Sequence, residues 1–255
     1  MPRMLKDDTM ETGKTAGGTQ AFKFSGTRIE HLANVASEFT LVTIAIDVTG
    51  STDGFTDELR ACLIKAVEAC SKSPRKANLL LRVILFSTSV PGQIQELHGF
   101  KPLGEVDPTQ YPTFVAGGMT NLNDATFSAV GATHAYAKNL MGQDFTTNGI
   151  VFIITDGGDN ESSVTATEIK KELARALRAE EIESMVTVLI GINATYCSTL
   201  LSDFQRIAGL DKYIDAGEVT KGKLAKLAAF VSQSVSSQSQ SLGTGGPSQN
   251  IAATI

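Results

Sequence analysis

Two short runs, 41–47 and 150–154, constrain this chain more than any other feature. Leu41, Val42, Ile44, Ala45 and Ile46 are apolar almost without a break, and Ile150-Val151-Phe152-Ile153-Ile154 is apolar throughout. A strand with one wet face alternates apolar with polar residues. A strand apolar at consecutive positions needs cover on both faces, as in the middle of a parallel sheet. Similar runs fall at 79–87 and 185–191, with shorter candidates near 93–97 and 212–215. Helical stripes lie between them. Phe55, Leu59, Cys62, Leu63, Ala66 and Cys70 share one helix face, as do Ile169, Leu173, Ala176 and Leu177, and Leu224, Leu227, Ala228, Val231 and Val235. The Ala-rich stretch 121–140 spaces Leu122, Ala125, Ala129, Ala132 and Tyr136 in the same manner. The alternation predicts an α/β fold, a doubly wound and mostly parallel central sheet flanked by helices, Rossmann-like in plan. Its binding edge is then the carboxyl ends of the strands.

With 255 residues, 42% of them hydrophobic, the chain has enough apolar material for one large core. The expected division is a polar N-terminal arm and lead-in at 1–37, the domain at 38–240, and a flexible Ser/Gln/Gly-rich tail at 241–255. Gly13-Lys14-Thr15 resembles the end of a phosphate-binding loop, but Asp8 stands where the first glycine is required and no apolar strand precedes it. Twenty-two Lys and Arg against 27 Asp and Glu leave a net charge of −5, which argues against a nucleic-acid-wrapping surface. No apolar run approaches the roughly 18 residues of a membrane span, and residues 1–8 hold no signal-peptide core. A cytoplasmic protein is expected. Cys62 and Cys70 lie two turns apart on one helix, too far for a disulfide, so reduced thiols are expected. His31, His98 and His134 have no partners nearby in sequence, and Glu168, Glu172 and Glu180 read with Lys170, Lys171, Arg175 and Arg178 as a solvated helix face.

The unusual residues gather where strands run into helices. The first apolar strand ends in Asp47-Val48-Thr49-Gly50-Ser51, and the 150–154 strand runs into Thr155-Asp156-Gly157. Gly117-Gly118-Met119-Thr120-Asn121 opens a helix between them. The topology thus brings two carboxylates, Asp47 and Asp156, and three hydroxyls, Thr49, Ser51 and Thr120, to one edge of the sheet. Such an all-oxygen set suits Mg²⁺ or Mn²⁺ and suits Zn²⁺ poorly. Each piece by itself is also ordinary turn and cap chemistry.

Taken jointly, Asp47-x-Thr49-x-Ser51, Thr120 and Asp156 resemble the von Willebrand factor type A domain and its metal-ion-dependent adhesion site, over roughly residues 38–235. That site reads Asp-x-Ser-x-Ser, a distant Thr and a distant Asp at a strand end; Thr49 stands here where the family usually has Ser. The resemblance implies that Thr49 and Ser51 meet the metal through their hydroxyls, that Thr120 does so directly or through water, and that Asp47 and Asp156 often act through water. It implies a partner protein that supplies an Asp or Glu carboxylate. It further implies a non-catalytic adaptor in a larger assembly with an AAA+ ATPase or a kinase, and the wording Ile-Ala-Ile-Asp-Val-Thr-Gly-Ser points to a bacterial tellurite-resistance-like, stress-response or defence branch. The loop 99–118, with Pro102, Pro108, Tyr111, Pro112 and Phe114, is expected to border the site and help choose the partner. Asp159 and Glu161 are expected in a solvated loop nearby.

The rival reading is a Mg²⁺-dependent phosphohydrolase or phosphotransferase of the haloacid dehalogenase kind with Asp47 as nucleophile. That chemistry needs Asp-x-Asp, and position 49 is Thr. No Ser/His/Asp set and no nucleotide loop points to another enzyme.

Overall fold

The computed structural model describes residues 8–14, 21–32, 36–178, 180–218 and 220–244. A hairpin of β1 (Asp8–Lys14) and β2 (Ala21–Thr27) leads into β3 (Glu38–Asp47), α1 (Thr56–Cys70), β4 (Leu79–Phe86) and β5 (Ile94–Pro102). Then follow α2 (Leu122–Met141), β6 (Thr146–Thr155), α3 (Ala166–Arg178), β7 (Met185–Gly191), α4 (Ser198–Ala208), β8 (Lys212–Asp215) and α5 (Lys221–Thr244). The strands form one sheet in the order β1-β2-β5-β4-β3-β6-β7-β8. From β4 to β8 every neighbouring pair is parallel, while β5 runs antiparallel to β4. The expected doubly wound, mostly parallel α/β fold is therefore the fold.

Side chains alternate between two apolar layers, which is why the central runs are apolar at consecutive positions. Val42, Ile44, Ile46, Ile150, Phe152 and Ile154 face α1 and α5. Leu41, Ala45, Val151 and Ile153 face α2, α3 and α4. The chain leaves β3 through α1 on one face to reach β4, and later returns through α2 on the other face to β6 on its opposite side. The winding reverses at β3, which opens a crevice between the loops at the carboxyl ends of β3 and β6.

Several elements depart from expectation. The lead-in, read as a polar arm, carries β1 and β2. Phe22 and Phe24 of β2 are buried against Phe127, Phe100 and Tyr136, and the Tyr136 hydroxyl donates to the Thr27 carbonyl. Strand β2 comes so close to β5 that a Cβ on Gly99 would lie 2.0 Å from the Ser25 carbonyl oxygen; only glycine fits there. Helix α4 had no counterpart in the sequence reading, although Leu201 and Ala208 are buried. The Ser/Gln-rich stretch is mostly helix, since α5 continues to Thr244. Its polar groups have partners: Asn148 Nδ2 donates to the Gln238 main-chain carbonyl, Gln238 Nε2 donates to Ser184 Oγ, and Arg75 bonds both Ser239 and Glu38. The rest of the expected tail, like residues 1–7 of the expected arm, lies outside the described residues.

The supposed solvated face of α3 and the lone histidine also need correction. Glu172 is buried, and so is His134 of α2. His134 Nδ1 lies 3.0 Å from Glu172 Oε1, and Nε2 lies 2.7 Å from Glu181 Oε2. Arg175 reaches Glu172 through two bonds, and Lys138 bonds Glu181. The network locks α2, which leads away from the candidate site, onto α3. His98 is half-buried, with Nε2 2.9 Å from the Tyr111 hydroxyl, and desolvation of the ring pushes it down to about 4. Cys62 and Cys70 are buried free thiols and Cys197 is a half-buried one. Among the described residues, no helix is long and apolar enough to cross a membrane.

Candidate metal centre

All five residues singled out in the sequence meet at the crevice beside β3. Asp47, the last residue of β3, is 1% exposed. Its Oδ1 accepts the Thr49 amide at 2.8 Å and its Oδ2 accepts the Thr155 hydroxyl at 2.6 Å. The carboxylate thus closes the turn after β3 and ties that turn to the end of β6. The Ser51 hydroxyl donates to Asp156 Oδ1 at 2.8 Å, and Thr49 Oγ1 lies 3.1 Å from Ser51 Oγ. Thr120 Oγ1 donates to Thr49 Oγ1 at 3.4 Å. Because Ser51 gives its proton to Asp156, the hydroxyl protons run in one direction, from Thr120 through Thr49 and Ser51 to the carboxylate.

Main-chain bonds fix these loops on one another. The Gly50 amide donates to the Gly118 carbonyl and the Gly117 amide to the Val48 carbonyl, at 3.1 and 3.0 Å. Gly118 has φ of +72°, and a Cβ there would meet the Ser89 amide nitrogen at 2.6 Å. Glycine is required on both counts. Two residues that the sequence reading passed over hold the site together. One is Thr155, whose hydroxyl is bonded to Asp47. The other is Asn160, whose Oδ1 accepts the Thr120 amide at 2.8 Å while its own amide and that of Glu161 donate to the Thr120 carbonyl. The signal for Thr155 was its place beside Asp156 at a strand end; no short-range pattern pointed to Asn160.

The remaining expectations divide. Asp159 is exposed but structured, accepting the Asn123 amide at 3.0 Å and a bond from Ser162. Tyr111 and Phe114 do not face outward to select a partner: both are buried in the core, and Arg60 clamps the Tyr111 and Pro112 carbonyls. Val115 of that loop and Met119 just beyond it are large apolar residues that stay exposed.

Electrostatically the site is an acid pair with nothing to balance it. Among the described residues no ion pair involves Asp47 or Asp156. Burial pushes Asp47 from 3.8 up to about 6 against its hydrogen bonds, and the charge of Asp156 adds to the rise. Burial raises Asp156 as well. Among the described residues no group of three or more His, Cys, Asp or Glu is arranged to hold a metal ion. Two carboxylates, three hydroxyls and no local cation fit a hard dication such as Mg²⁺ or Mn²⁺.

No protein-family model matches the chain, and no curated protein matches it by sequence. Solved structures do match in fold. The pilus adhesin SpaC from Lactobacillus rhamnosus GG aligns over 91% of this chain in two structures, with TM-scores of 0.57 and 0.55 at 10% and 11% identity. This chain spans only 35% and 34% of those chains. Proximal thread matrix protein 1 from the mussel byssus aligns over 78% of this chain and 47% of its own, with a TM-score of 0.48 at 15% identity. A structure of that protein with a zinc-occupied MIDAS motif gives 0.47 at 16%. At these identities the likeness to SpaC extends to the fold alone.

Proposed function

We propose that this chain is a non-catalytic, metal-dependent protein-interaction module of the von Willebrand factor type A kind. In this reading a divalent cation, Mg²⁺ or Mn²⁺, sits at Thr49, Ser51 and Thr120, with Asp47 and Asp156 as the balancing acids. The observation that carries it is the convergence of two carboxylates and three hydroxyls from three separate loops, with no basic side chain among the described residues in an ion pair with the acids. When bound, the cation supplies a positive centre with room for one further anionic oxygen from a partner protein.

The chain's own residues divide the work. Asp47, with both oxygens engaged and almost no exposure, shapes the loop and contributes charge at a distance. Ser51 is exposed and Asp156 half-exposed, so they form the open side of the site. Carboxylates that accept hydroxyl protons leave the hydroxyl lone pairs free for a cation. The same geometry speaks against the phosphohydrolase reading, in which Asp47 would have to present a free oxygen to phosphorus.

The finer reading is also a proposal. The module serves in the cytoplasm as an adaptor in a stress-response or defence assembly of the tellurite-resistance-like type, with an AAA+ ATPase or kinase among its partners. The sequence resemblance supports it, together with the buried free thiols, which suit a reducing compartment. Isothermal titration of Mg²⁺ and Mn²⁺ into chelator-treated protein tests the central claim. Binding by the wild type and none by Asp156→Ala is expected. Equal binding by both would move the metal elsewhere and end the reading. Turnover of a generic phosphate ester that Asp47→Ala abolishes would restore the rival.

A further inference from the structure

We infer that the partner presents a single carboxylate set among bulky apolar side chains, with basic rather than further acidic residues around it. The inference rests on the metal-bridged reading above and adds what the surrounding surface demands.

Seven large hydrophobic side chains are exposed among the described residues: Val115, Met119, Met141, Leu177, Tyr196, Leu200 and Ile207. Met141, Leu177 and Ile207 sit at the last turns of α2, α3 and α4, helices that carry the chain back to the opposite edge of the sheet. The other four share the edge that holds the candidate centre. Val115 is 76% exposed and Met119 48%, both in the loop that ends at Thr120. Tyr196 is fully exposed and Leu200 61% exposed, in the loop after β7 and the first turn of α4.

Met119 and Leu200 flank the centre. The Met119 main chain is held by Thr88 from both sides, its carbonyl accepting the Thr88 amide at 3.0 Å and its amide donating to Thr88 Oγ1 at 2.8 Å. A fixed backbone with a free side chain is a preformed contact. On the other flank Leu200 lies over Gly158, two residues beyond Asp156, with its Cδ1 3.7 Å from where a Cβ at Gly158 would stand. A segment placing a carboxylate between them covers apolar surface on both sides.

Charge narrows the partner further. The loops 48–55, 87–93, 111–121, 156–165 and 192–197 contain no Lys or Arg. Besides the two acids of the centre, Asp53, Asp159 and Glu161 are exposed on them. A dication offsets only Asp47 and Asp156, so the surround stays negative. One carboxylate is welcome at the metal, and further acids beside it are repelled.

Selection of a phage-displayed random-peptide library on the full chain in Mg²⁺, with elution by chelator, tests this. Recovered sequences should share one Asp or Glu next to Leu, Ile, Phe, Met or Tyr, with Lys or Arg farther out. A synthetic consensus peptide should bind the Met119→Ser/Leu200→Ser protein about tenfold or more weakly, while Mg²⁺ titration of that protein is unchanged and Ile207→Ser binds as wild type. Acid-rich or purely polar winners, equal affinity for the double variant, or no chelator-eluted peptide from a protein that titrates with Mg²⁺ would each overturn the inference and leave the metal reading intact. Failure of the Mg²⁺ titration itself would overturn the reading beneath it.

Discussion

The molecule holds two acid pairs inside one fold and treats them in opposite ways. Glu172 and Glu181, where α2 meets α3, are bonded to the protein's own cations, Arg175 and Lys138, and share the two ring nitrogens of His134 between them. Burial by itself would raise Glu172, but its bonds to His134 and Arg175 outweigh that and hold it below the usual carboxylate range; Glu181 is held low in the same manner by Lys138 and His134. Asp47 and Asp156 have hydroxyls and amides for company, and burial drives both up. The first pair is complete and cements helices. The second is left in a state that an external cation would relieve, on the edge where this type of sheet places its ligands.

The contrast can be broken most forcefully through the complete pair. Glu172→Gln should cost about 3 kcal/mol in urea unfolding, because it removes the buried charge that Arg175 and the His134 ring share, yet leave Mg²⁺ titration as it was. Asp156→Ala should do the reverse, weakening Mg²⁺ by about a hundredfold or more while hardly moving the urea midpoint in chelator. If the two variants exchanged phenotypes, the division into structural and functional acids would fail. Saturating Mg²⁺, at roughly 100 times its dissociation constant, should stabilise the wild type by about 2.7 kcal/mol and Asp156→Ala by about 0.4 kcal/mol or less, as read from melting curves.

The smallest effect concerns pH and sharpens the sign of the contrast. Asp47 binds its proton more tightly in the folded chain, so its charge costs stability above about pH 6, and that cost disappears as pH falls toward 3.8. In chelator, Asp47→Asn should therefore be the more stable protein above pH 6 and lose that advantage in acid. Glu172, held low, contributes stability above its ordinary 4.5 that is lost as pH falls further. The Glu172→Gln deficit should accordingly shrink in acid, and a deficit that grew there would contradict the assigned bonds.

Much of this was readable from residues alone. The central strands β3 and β6 announced themselves because a strand covered on both faces has no polar positions to interrupt it. The five residues of the candidate centre were legible because each lies at a fixed offset from a strand end or helix start. Other elements carried weaker signals. Strand β2 shows only the pair Phe22 and Phe24 in alternation, and α5 beyond Val235 has the composition of a linker. That stretch is helical through contacts made far away in sequence, Asn148 to Gln238 and Arg75 to Ser239. Ser234, Gln238, Ser239 and Ser241, which would be free in a linker, are buried here.

What the sequence determined by itself was the alternation of the central strands with α1, α2, α3 and α5 and the oxygen-donor set they deliver to one edge. These follow from local periodicity and from chain direction, both of which are properties of neighbours in sequence. What only the tertiary structure decided was which acids are neutralised and which are not, and which apolar residues stay in water. His134 meets Glu172 and Glu181 across 38 and 47 residues, and Tyr111 and Phe114 turn inward while Val115 and Met119 stay out. Charge and burial depend on everything within a few ångströms, and folding chooses those neighbours from any part of the chain.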